Sequence, residues 1–205
     1  MNWRLNKIQY PLYNLGKGKR IGIWVQGCTL ACEGCINEMI WTKKKGENIS
    51  VYELYQFVDS ICEEYDGITI SGGEPFQQYE QLITFVYLIK TRTKLSVHCF
   101  TGYEMKELEL MYPDKLFMNY IDHLVDGRYV KELHSNNGVV GSTNQKTYQI
   151  SSGRANEMSF QKENDRWSLN VADDGSVYMA GIPRDFEISK LIQDLDSVGI
   201  KKNFK

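Results

Sequence analysis

Three cysteines in this chain have the spacing of a metal-binding loop. Cys28, Cys32 and Cys35 form a CxxxCxxC run that directly follows the apolar residues 21–25. A structural metal site is closed by four protein ligands, whereas three thiolates leave one coordination position free for a substrate or cofactor. The spacing therefore predicts a site at which chemistry takes place.

Two kinds of metal centre suit this loop. Zinc needs a fourth protein ligand, and neither the three histidines nor the other two cysteines, Cys62 and Cys99, form a second CxxC or HxxxH pair. A 4Fe-4S cluster held by three thiolates instead has an open fourth iron. Gly27 and Gly34 relieve crowding where the backbone curls around a bulky cluster. The pattern favours the cluster, with zinc as the alternative.

A second candidate site follows the next predicted strand. The apolar run 68–71 ends in Gly72-Gly73-Glu74-Pro75. In α/β proteins ligands bind at the carboxyl ends of strands, and paired glycines let the backbone approach a ligand closely. Glu74 can accept hydrogen bonds from an amine. On the pattern alone, a tight turn is an equally good interpretation.

Alternating apolar and turn-prone stretches predict a repeated strand-helix order. Strands are predicted at residues 20–26, 67–71, 95–101 and 121–125. Helices are predicted from Ser50, as the N-cap of a capping box with Glu53, and at residues 79–90 and 104–111. We therefore predict an α/β fold, a partial, open TIM-like barrel of repeated β-α units with parallel strands.

The pattern changes beyond residue 157. Residues 167–171 and 177–179 flank Asp173-Asp174-Gly175, which is a hairpin signal, and residues 186–198 read as a closing helix. We predict a core at residues 1–157 and a small hairpin-helix extension at residues 158–205 that packs on the core.

Composition excludes several classes of function. With 205 residues, 42% hydrophobic and 24% charged, the chain is of ordinary globular type, and its net charge of −2 gives no general attraction to nucleic acid or to an anionic membrane. The N-terminus lacks the apolar core of a signal peptide, and no segment approaches 18 uninterrupted apolar residues. We expect a cytoplasmic protein, in which five cysteines do not form a disulfide framework.

The cysteine triad together with Gly-Gly-Glu-Pro at the end of the next strand resembles the radical S-adenosylmethionine (radical SAM) superfamily. The resemblance implies that Cys28, Cys32 and Cys35 hold a 4Fe-4S cluster whose open iron is chelated by the amino and carboxylate groups of SAM. It also implies that Gly72 to Glu74 line the methionine end of SAM, with Glu74 near the ammonium.

Further motifs resemble the activases of glycyl radical enzymes, and within them the activators of anaerobic ribonucleotide reductase. These motifs run in the expected order over residues 20–150: Val25-Gln26-Gly27-Cys28, Gly34-Cys35-Ile36-Asn37 through Trp41, Thr101-Gly102-Tyr103, Val125-Asp126-Gly127-Arg128-Tyr129 and Gly141-Ser142-Thr143-Asn144-Gln145. This chain has Gly16-Lys17-Gly18 where many activases have Gly-Pro-Gly, and its tail extends past the shortest reductase activators.

The resemblance implies reductive cleavage of SAM to methionine and a 5'-deoxyadenosyl radical, which takes a hydrogen atom from a glycine of anaerobic ribonucleotide reductase. The electron would come from a reduced flavodoxin or ferredoxin, and no general base or nucleophile of the protein is needed.

Several alternatives stay open. We expect Thr101, Asp126 and Arg128 to line the cofactor pocket, because they follow strand ends, although Thr101-Gly102 and Asp126-Gly127 are also ordinary strand-ending turns. Ser142, Asn144 and Gln145 are candidates for satisfying loop backbone groups. The alternative functions are a radical SAM enzyme acting on a peptide or small molecule, and a non-catalytic iron-sulfur or zinc module.

Overall fold

The computed structural model describes residues 1–135, 139–159, 167–171, 177–181, 189–191, 193, 194 and 197. The strands of its main sheet are β1 (Asn2–Leu12), β2 (Arg20–Val25), β3 (Glu47–Ser50), β4 (Gly67–Gly72), β5 (Ser96–Phe100), β6 (His123–Asp126), β7 (Lys146–Ser151) and β8 (Arg154–Met158). Its helices are α1 (Val51–Ile61), α2 (Tyr79–Arg92), α3 (Met105–Met111) and α4 (Phe117–Tyr120).

The eight strands form one open sheet in the order β3-β1-β2-β4-β5-β6-β7-β8. The pairs β2–β4, β4–β5 and β5–β6 are parallel, and each connection between them carries one or two of the helices. All four predicted strands belong to this parallel centre, which confirms the α/β prediction. The sheet is widened on both sides by antiparallel strands that were not predicted, β1 and β3 on one side and β7 and β8 on the other.

One face of the parallel centre packs against α1 and α2. Alternate residues of β2 and β4, such as Ile23 and Ile70, are buried in the same cluster as Leu54 of α1 and Phe85 of α2. Burial of a side chain of this size stabilises the fold by roughly 1.5–3 kcal/mol. Because every second residue is anchored in this way, the register of the strands is fixed, and their carboxyl ends lie along one edge of the sheet.

A buried arginine fixes the opposite ends of the same strands. The guanidinium of Arg20 donates hydrogen bonds to Thr69 Oγ1 at 2.7 Å, to Ser96 Oγ at 2.9 Å and to the carbonyl oxygen of Lys17 at 2.9 Å. Burial lowers the pKa of Arg20 to about 10, so the side chain stays charged at neutral pH. The hydrogen bonds of Arg20 therefore join β2, β4 and β5 at the end of the sheet opposite to the carboxyl ends of these strands.

Helix α1 begins at the predicted residue but without the predicted capping box. Ser50 is the residue before the helix, and its side chain makes no capping hydrogen bond. The reason is that Ser50 is also the last residue of β3, where it pairs with Asn2, and the backbone N–H of Val51 donates to the carbonyl oxygen of Met1 at 3.1 Å. A backbone hydrogen bond beside the paired strands therefore satisfies an N–H group at the start of α1, where the sequence predicts a cap by the Ser50 hydroxyl.

The predicted C-terminal hairpin is present as an antiparallel pair of strands, β9 (Trp167–Val171) and β10 (Val177–Gly181), whose turn lies outside the described residues. Ala180 is buried against Leu12 and Trp24, and its carbonyl oxygen accepts a hydrogen bond from Asn14 Nδ2 at 2.6 Å. Of the predicted helix 186–198, the described residues 189–191, 193, 194 and 197 are helical, and the others lie outside the described part. No helix in the described part of the chain is long and apolar enough to cross a membrane.

Candidate functional site

The three predicted cysteine ligands lie on one loop at the carboxyl end of β2. Cys28, Cys32 and Cys35 are all free and partly exposed. Three positive φ angles curl this loop, at Gly27 (101°), Ala31 (49°) and Gly34 (72°), and two of the three positions are glycines that adopt such angles without strain. The thiols are therefore gathered on one short, strongly curved segment.

Backbone hydrogen bonds hold both ends of the cysteine loop. Cys28 N–H donates to the carbonyl oxygen of Trp41 at 3.0 Å, so the loop closes on itself where it leaves the sheet. Cys35 N–H donates to the carbonyl oxygen of Cys32 at 3.2 Å, and the N–H of Asn37 donates to Cys35 Sγ at 3.4 Å. These two contacts fix the backbone around the third cysteine of the loop.

The donor set of this loop suits an iron-sulfur cluster. Thiolates are the usual ligands of such clusters, and three of them stand on a segment that the solvent reaches. In the described part of the chain no three His, Cys, Asp or Glu side chains converge as they would around a single metal ion. A cubane cluster does not require this convergence, because each thiolate binds a different iron. The loop thus fits the cluster better than it fits zinc.

The Gly-Gly-Glu-Pro segment packs directly on the cysteine loop. Gly73 N–H donates to the carbonyl oxygen of Val25 at 2.8 Å, and Glu74 N–H donates to the carbonyl oxygen of Gly27 at 2.9 Å. A Cβ atom on Gly73 would lie 2.2 Å from the Gly27 oxygen. The paired glycines therefore let two backbone segments meet, and the two predicted sites form one site.

The Glu74 side chain is buried and hydrogen-bonded at the centre of this site. Its Oε1 accepts from Phe76 N–H at 3.0 Å and from Thr101 Oγ1 at 2.8 Å, and its Oε2 accepts from Gly102 N–H at 2.7 Å. Burial raises the pKa of Glu74 to about 7, although these hydrogen bonds act in the opposite direction. Since a carboxylate offers about four acceptor positions, Oε2 retains one for a further donor.

Thr101 links the ends of β5 and β6 to Glu74. Its backbone N–H donates to the carbonyl oxygen of Val125 at 2.9 Å, and its hydroxyl donates to Glu74. The same hydroxyl accepts from the N–H of Tyr103 at 3.1 Å. Thr101 therefore lies beside Glu74, and its hydroxyl is engaged with protein groups.

Asp126 is the last residue of β6 and Arg128 lies just beyond it, at the same edge of the sheet, but their environments differ. Asp126 is buried, and its carboxylate accepts from the N–H of Met105 at 2.7 Å and of Lys146 at 3.3 Å, so it joins the start of α3 to β7. Burial raises its pKa. The Arg128 side chain is half-exposed, with a guanidinium nitrogen 4.0 Å from a Glu107 oxygen. The guanidinium of Arg128 is therefore more accessible to a ligand than the carboxylate of Asp126.

The 141–145 segment satisfies backbone groups of the turn after β6, which confirms that interpretation of its polar residues. Gln145 Nε2 donates to the carbonyl oxygen of Gly127 at 2.7 Å, and Asn144 Nδ2 donates to that of Arg128 at 2.9 Å. Ser142 Oγ accepts from the N–H of Val130 at 3.1 Å. These bonds fix the backbone on both sides of Arg128.

Two glutamines that the sequence did not single out contribute to the site. The 3₁₀ turn Pro75–Gln78 follows Glu74 directly, and its last two residues contact different neighbours. Gln77 contacts the cysteine loop through Thr29, and Gln78 contacts the backbone of Arg4 and Gln26. The signal in the sequence that could have identified them is the pair of adjacent amide side chains directly after Gly-Gly-Glu-Pro.

The two cysteines outside the loop pack in or against the core. Cys99 is fully buried in β5, where burial raises its pKa well above the usual range. Cys62 follows α1 and packs, partly buried, against the main hydrophobic cluster. Neither lies on the loop that carries the triad.

Comparison with known proteins gives three findings. Residues 14–148 match the 4Fe-4S single cluster domain family. The chain is 28% identical over 142 residues to the anaerobic ribonucleoside-triphosphate reductase-activating protein of Enterobacteria phage T4, covering 67% of this chain and 88% of that protein. It is 31% identical over 136 residues to the protein of the same name from Haemophilus influenzae, covering 62% and 86%.

A more distant relationship extends to a second kind of activator. Over 79 residues the chain is 35% identical to the pyruvate formate-lyase-activating enzyme of Listeria monocytogenes, which covers 37% of this chain and 32% of that enzyme. The similarity to the reductase activators spans most of their length, whereas the similarity to this enzyme spans about a third of its length.

Proposed function

This chain belongs to the radical SAM activating proteins that carry a 4Fe-4S single cluster domain, and from this we propose that it generates the glycyl radical of an anaerobic ribonucleotide reductase. The proposal for the partner is supported by the names of the relatives that match over most of their length, which are activating proteins of anaerobic ribonucleoside-triphosphate reductases. A reduced flavodoxin or ferredoxin is the proposed electron donor.

One observation carries the proposal for the chemistry. The cysteine loop and the Gly-Gly-Glu segment are joined backbone to backbone, through Glu74 N–H and the Gly27 oxygen. In this proposal Cys28, Cys32 and Cys35 hold the cluster. When bound, the reduced cluster would supply the electron that cleaves the S–C5' bond of SAM, giving methionine and a 5'-deoxyadenosyl radical that takes a hydrogen atom from a partner glycine. The contact supports this proposal, because it brings the cysteine loop and the Gly-Gly-Glu segment together at one edge of the sheet.

The protein positions SAM with groups that the fold already holds rigidly. Gly72 and Gly73 present backbone at the end of β4, and Glu74 keeps one acceptor position on Oε2 for an N–H of the SAM amino group. A hydrogen bond to an ionised carboxylate is stronger than one between neutral groups. Thr101 keeps this carboxylate in place by donating to its other oxygen.

We also propose that Asp126 and Arg128 belong to the cofactor pocket in different ways. Asp126 ends β6 and Arg128 follows it, at the edge that carries the cysteine loop, where ligands of α/β sheets bind. Asp126 acts by holding the backbone around the pocket, through Met105 and Lys146. The half-exposed guanidinium of Arg128 is the group that can reach a bound anion.

The affinity for SAM is expected to fall at acidic pH. Burial raises the pKa of Glu74 to about 7, so the carboxylate becomes protonated as the pH falls through that value and is then a weaker acceptor for the N–H of the SAM amino group. We expect SAM to bind roughly five- to tenfold more weakly at pH 6 than at pH 7.5. Equilibrium binding to the reconstituted protein measures this change.

Glu74→Gln is the matched control for the pH experiment. It replaces one carboxylate oxygen with an amide nitrogen and has no charge to lose, so its SAM affinity, whatever its absolute value, should vary much less between these two pH values. An equally steep dependence in wild type and Glu74→Gln would show that another group, such as the SAM amine itself, is responsible.

The partner assignment is tested by electron paramagnetic resonance after anaerobic incubation with SAM and reductant. With purified anaerobic ribonucleotide reductase we expect a glycyl radical doublet on the reductase, and with pyruvate formate-lyase a much weaker signal or none. A doublet on the lyase alone would contradict the choice of partner. Production of 5'-deoxyadenosine without a radical on either protein would favour an enzyme that acts on a peptide or small molecule.

A further inference from the structure

The turn after Glu74 connects three separate parts of the site. Glu74 contacts the end of β5 through Gly102, and Gln78 donates to the backbone oxygens of Arg4 and Gln26 at 3.1 and 3.2 Å. Gln77, between them, contacts the cysteine loop. The side chains of Glu74, Gln77 and Gln78 thus contact three neighbouring segments. Of these three side chains, Gln77 is the one that contacts the loop with the cysteines.

Gln77 uses both ends of its amide. Its Oε1 accepts from the N–H of Thr29 at 3.2 Å, and its Nε2 donates to Thr29 Oγ1 at 2.7 Å and to Tyr103 OH at 3.0 Å. Thr29 is the residue after Cys28, and Tyr103 follows the Thr101-Gly102 pair that contacts Glu74. One amide therefore contacts the cysteine loop and the end of β5 together.

We propose that Gln77 is a positioning residue that holds Cys28 in register with the Gly73–Glu74 backbone, an inference that rests on the proposed function. Gln77 and Glu74 lie three residues apart on one short turn, so the two segments that would hold cluster and SAM are tied together by a side chain as well as by backbone. The pair of bonds to Thr29 is fixed in direction, because it uses one donor and one acceptor of each residue.

The location of these bonds predicts a local effect rather than a global one. Thr29, Gln77 and Tyr103 line an open cavity of about 620 Å³, and the Gln77–Thr29 bonds are exposed to solvent. Loss of exposed hydrogen bonds has a small effect on overall stability. It has a large effect on a loop with few other constraints, since such loops open independently of the core.

The test compares Gln77→Leu with Gln81→Leu, a change of the same kind on the same cavity. In the apo-protein we expect the amides of residues 28–35 to exchange hydrogen roughly tenfold faster in Gln77→Leu than in wild type or Gln81→Leu. In the reconstituted protein we expect the SAM-dependent change in the cluster's paramagnetic resonance spectrum to broaden or disappear. The melting temperature should shift by only a few degrees.

Gln77→Glu serves as the conservative variant. Its carboxylate can accept from Thr29 N–H, and the hydroxyls of Thr29 and Tyr103 can rotate to donate to it. We therefore expect its exchange rates and spectrum to remain near those of wild type, which a merely destabilised protein would not show.

Two results would overturn the proposal. In the first, Gln77→Leu has the same hydrogen-exchange rates at residues 28–35 and the same spectrum as wild type. In the second, Gln77→Leu exchanges hydrogen faster throughout the chain instead of in the loop alone. The exchange measurement needs no cofactor. If wild type cleaves no SAM while Gln77→Leu still loosens residues 28–35, the proposed function is contradicted and the role of Gln77 in holding the loop is supported.

Discussion

Replacement of any one of Cys28, Cys32 or Cys35 with alanine is expected to abolish cluster binding and, with it, all cleavage of SAM. In the proposed site each thiolate would hold a separate iron, so two remaining ligands would leave a second iron without a protein ligand. The other two cysteines cannot substitute, because Cys99 is buried in β5 and Cys62 packs against the core. After anaerobic reconstitution we expect the iron content to fall at least tenfold and 5'-deoxyadenosine to fall to background.

Cys62→Ala is the control for this experiment. It removes a partly buried thiol without touching the loop, so it should retain iron, the iron-sulfur absorption and SAM cleavage. A full iron-sulfur spectrum in any of the three loop variants would contradict the assignment of that cysteine.

Gly73→Ala is expected to have the second largest effect, through backbone geometry alone. The added Cβ would lie 2.2 Å from the oxygen and 2.7 Å from the carbonyl carbon of Gly27, distances that real Cβ atoms do not occupy. Since these are backbone atoms next to Cys28, relief of the clash must move the cysteine loop away from Glu74. A shift of about 1 Å between reacting groups costs roughly 100-fold in rate. Initial rates of 5'-deoxyadenosine formation measure the loss.

Gly102→Ala provides a graded comparison at the same site. Its Cβ would approach Leu30 Cδ1 at 2.4 Å, but that atom is the end of a flexible side chain and can rotate aside. We expect a loss of activity that is clearly smaller than that of Gly73→Ala. Equal activities of Gly73→Ala and wild type would show that contact between the two loops is not required for SAM cleavage.

The parallel centre of the fold was predictable because its signals are local. Strands buried on both sides read as short apolar runs ended by glycine, and the helices that connect them have apolar side chains at helical spacing. The N-terminal strand β1 gives no such signal, since its pairing with β2 shifts register between Leu5 and Lys7 and again between Gln9 and Leu12. These shifts interrupt the alternation of buried and exposed side chains, so the sequence does not reveal β1 although it pairs with both β2 and β3.

The antiparallel hairpin of β7 and β8 carried a signal that was overlooked. Its strands are separated by Ser152 and Gly153, which both have positive φ angles, of 51° and 70°. This is the geometry of a two-residue type I' turn, in which a glycine at the second position is typical. The strands themselves are largely exposed, so hydrophobicity alone did not reveal them.

The residues of the site were predictable as a set, but their division of labour was not. Ligand motifs identify the cysteine loop and Gly72 to Glu74, since residue type and spacing carry the chemistry. The sequence does not tell which side chains face a ligand and which hold the backbone. Asp126 is buried between Met105 and Lys146, and Gln77 is tied to Thr29 from 48 positions away in the chain. Such contacts depend on tertiary packing.

Transfer of a hydrogen atom from a partner glycine to the 5' carbon of SAM can be followed directly with deuterium. Anaerobic ribonucleotide reductase carrying α-deuterated glycine is incubated with the reduced, cluster-loaded protein and SAM. We expect 5'-deoxyadenosine that contains deuterium, formed together with a glycyl radical on the reductase. Unlabelled 5'-deoxyadenosine, with no radical on the reductase, would contradict it.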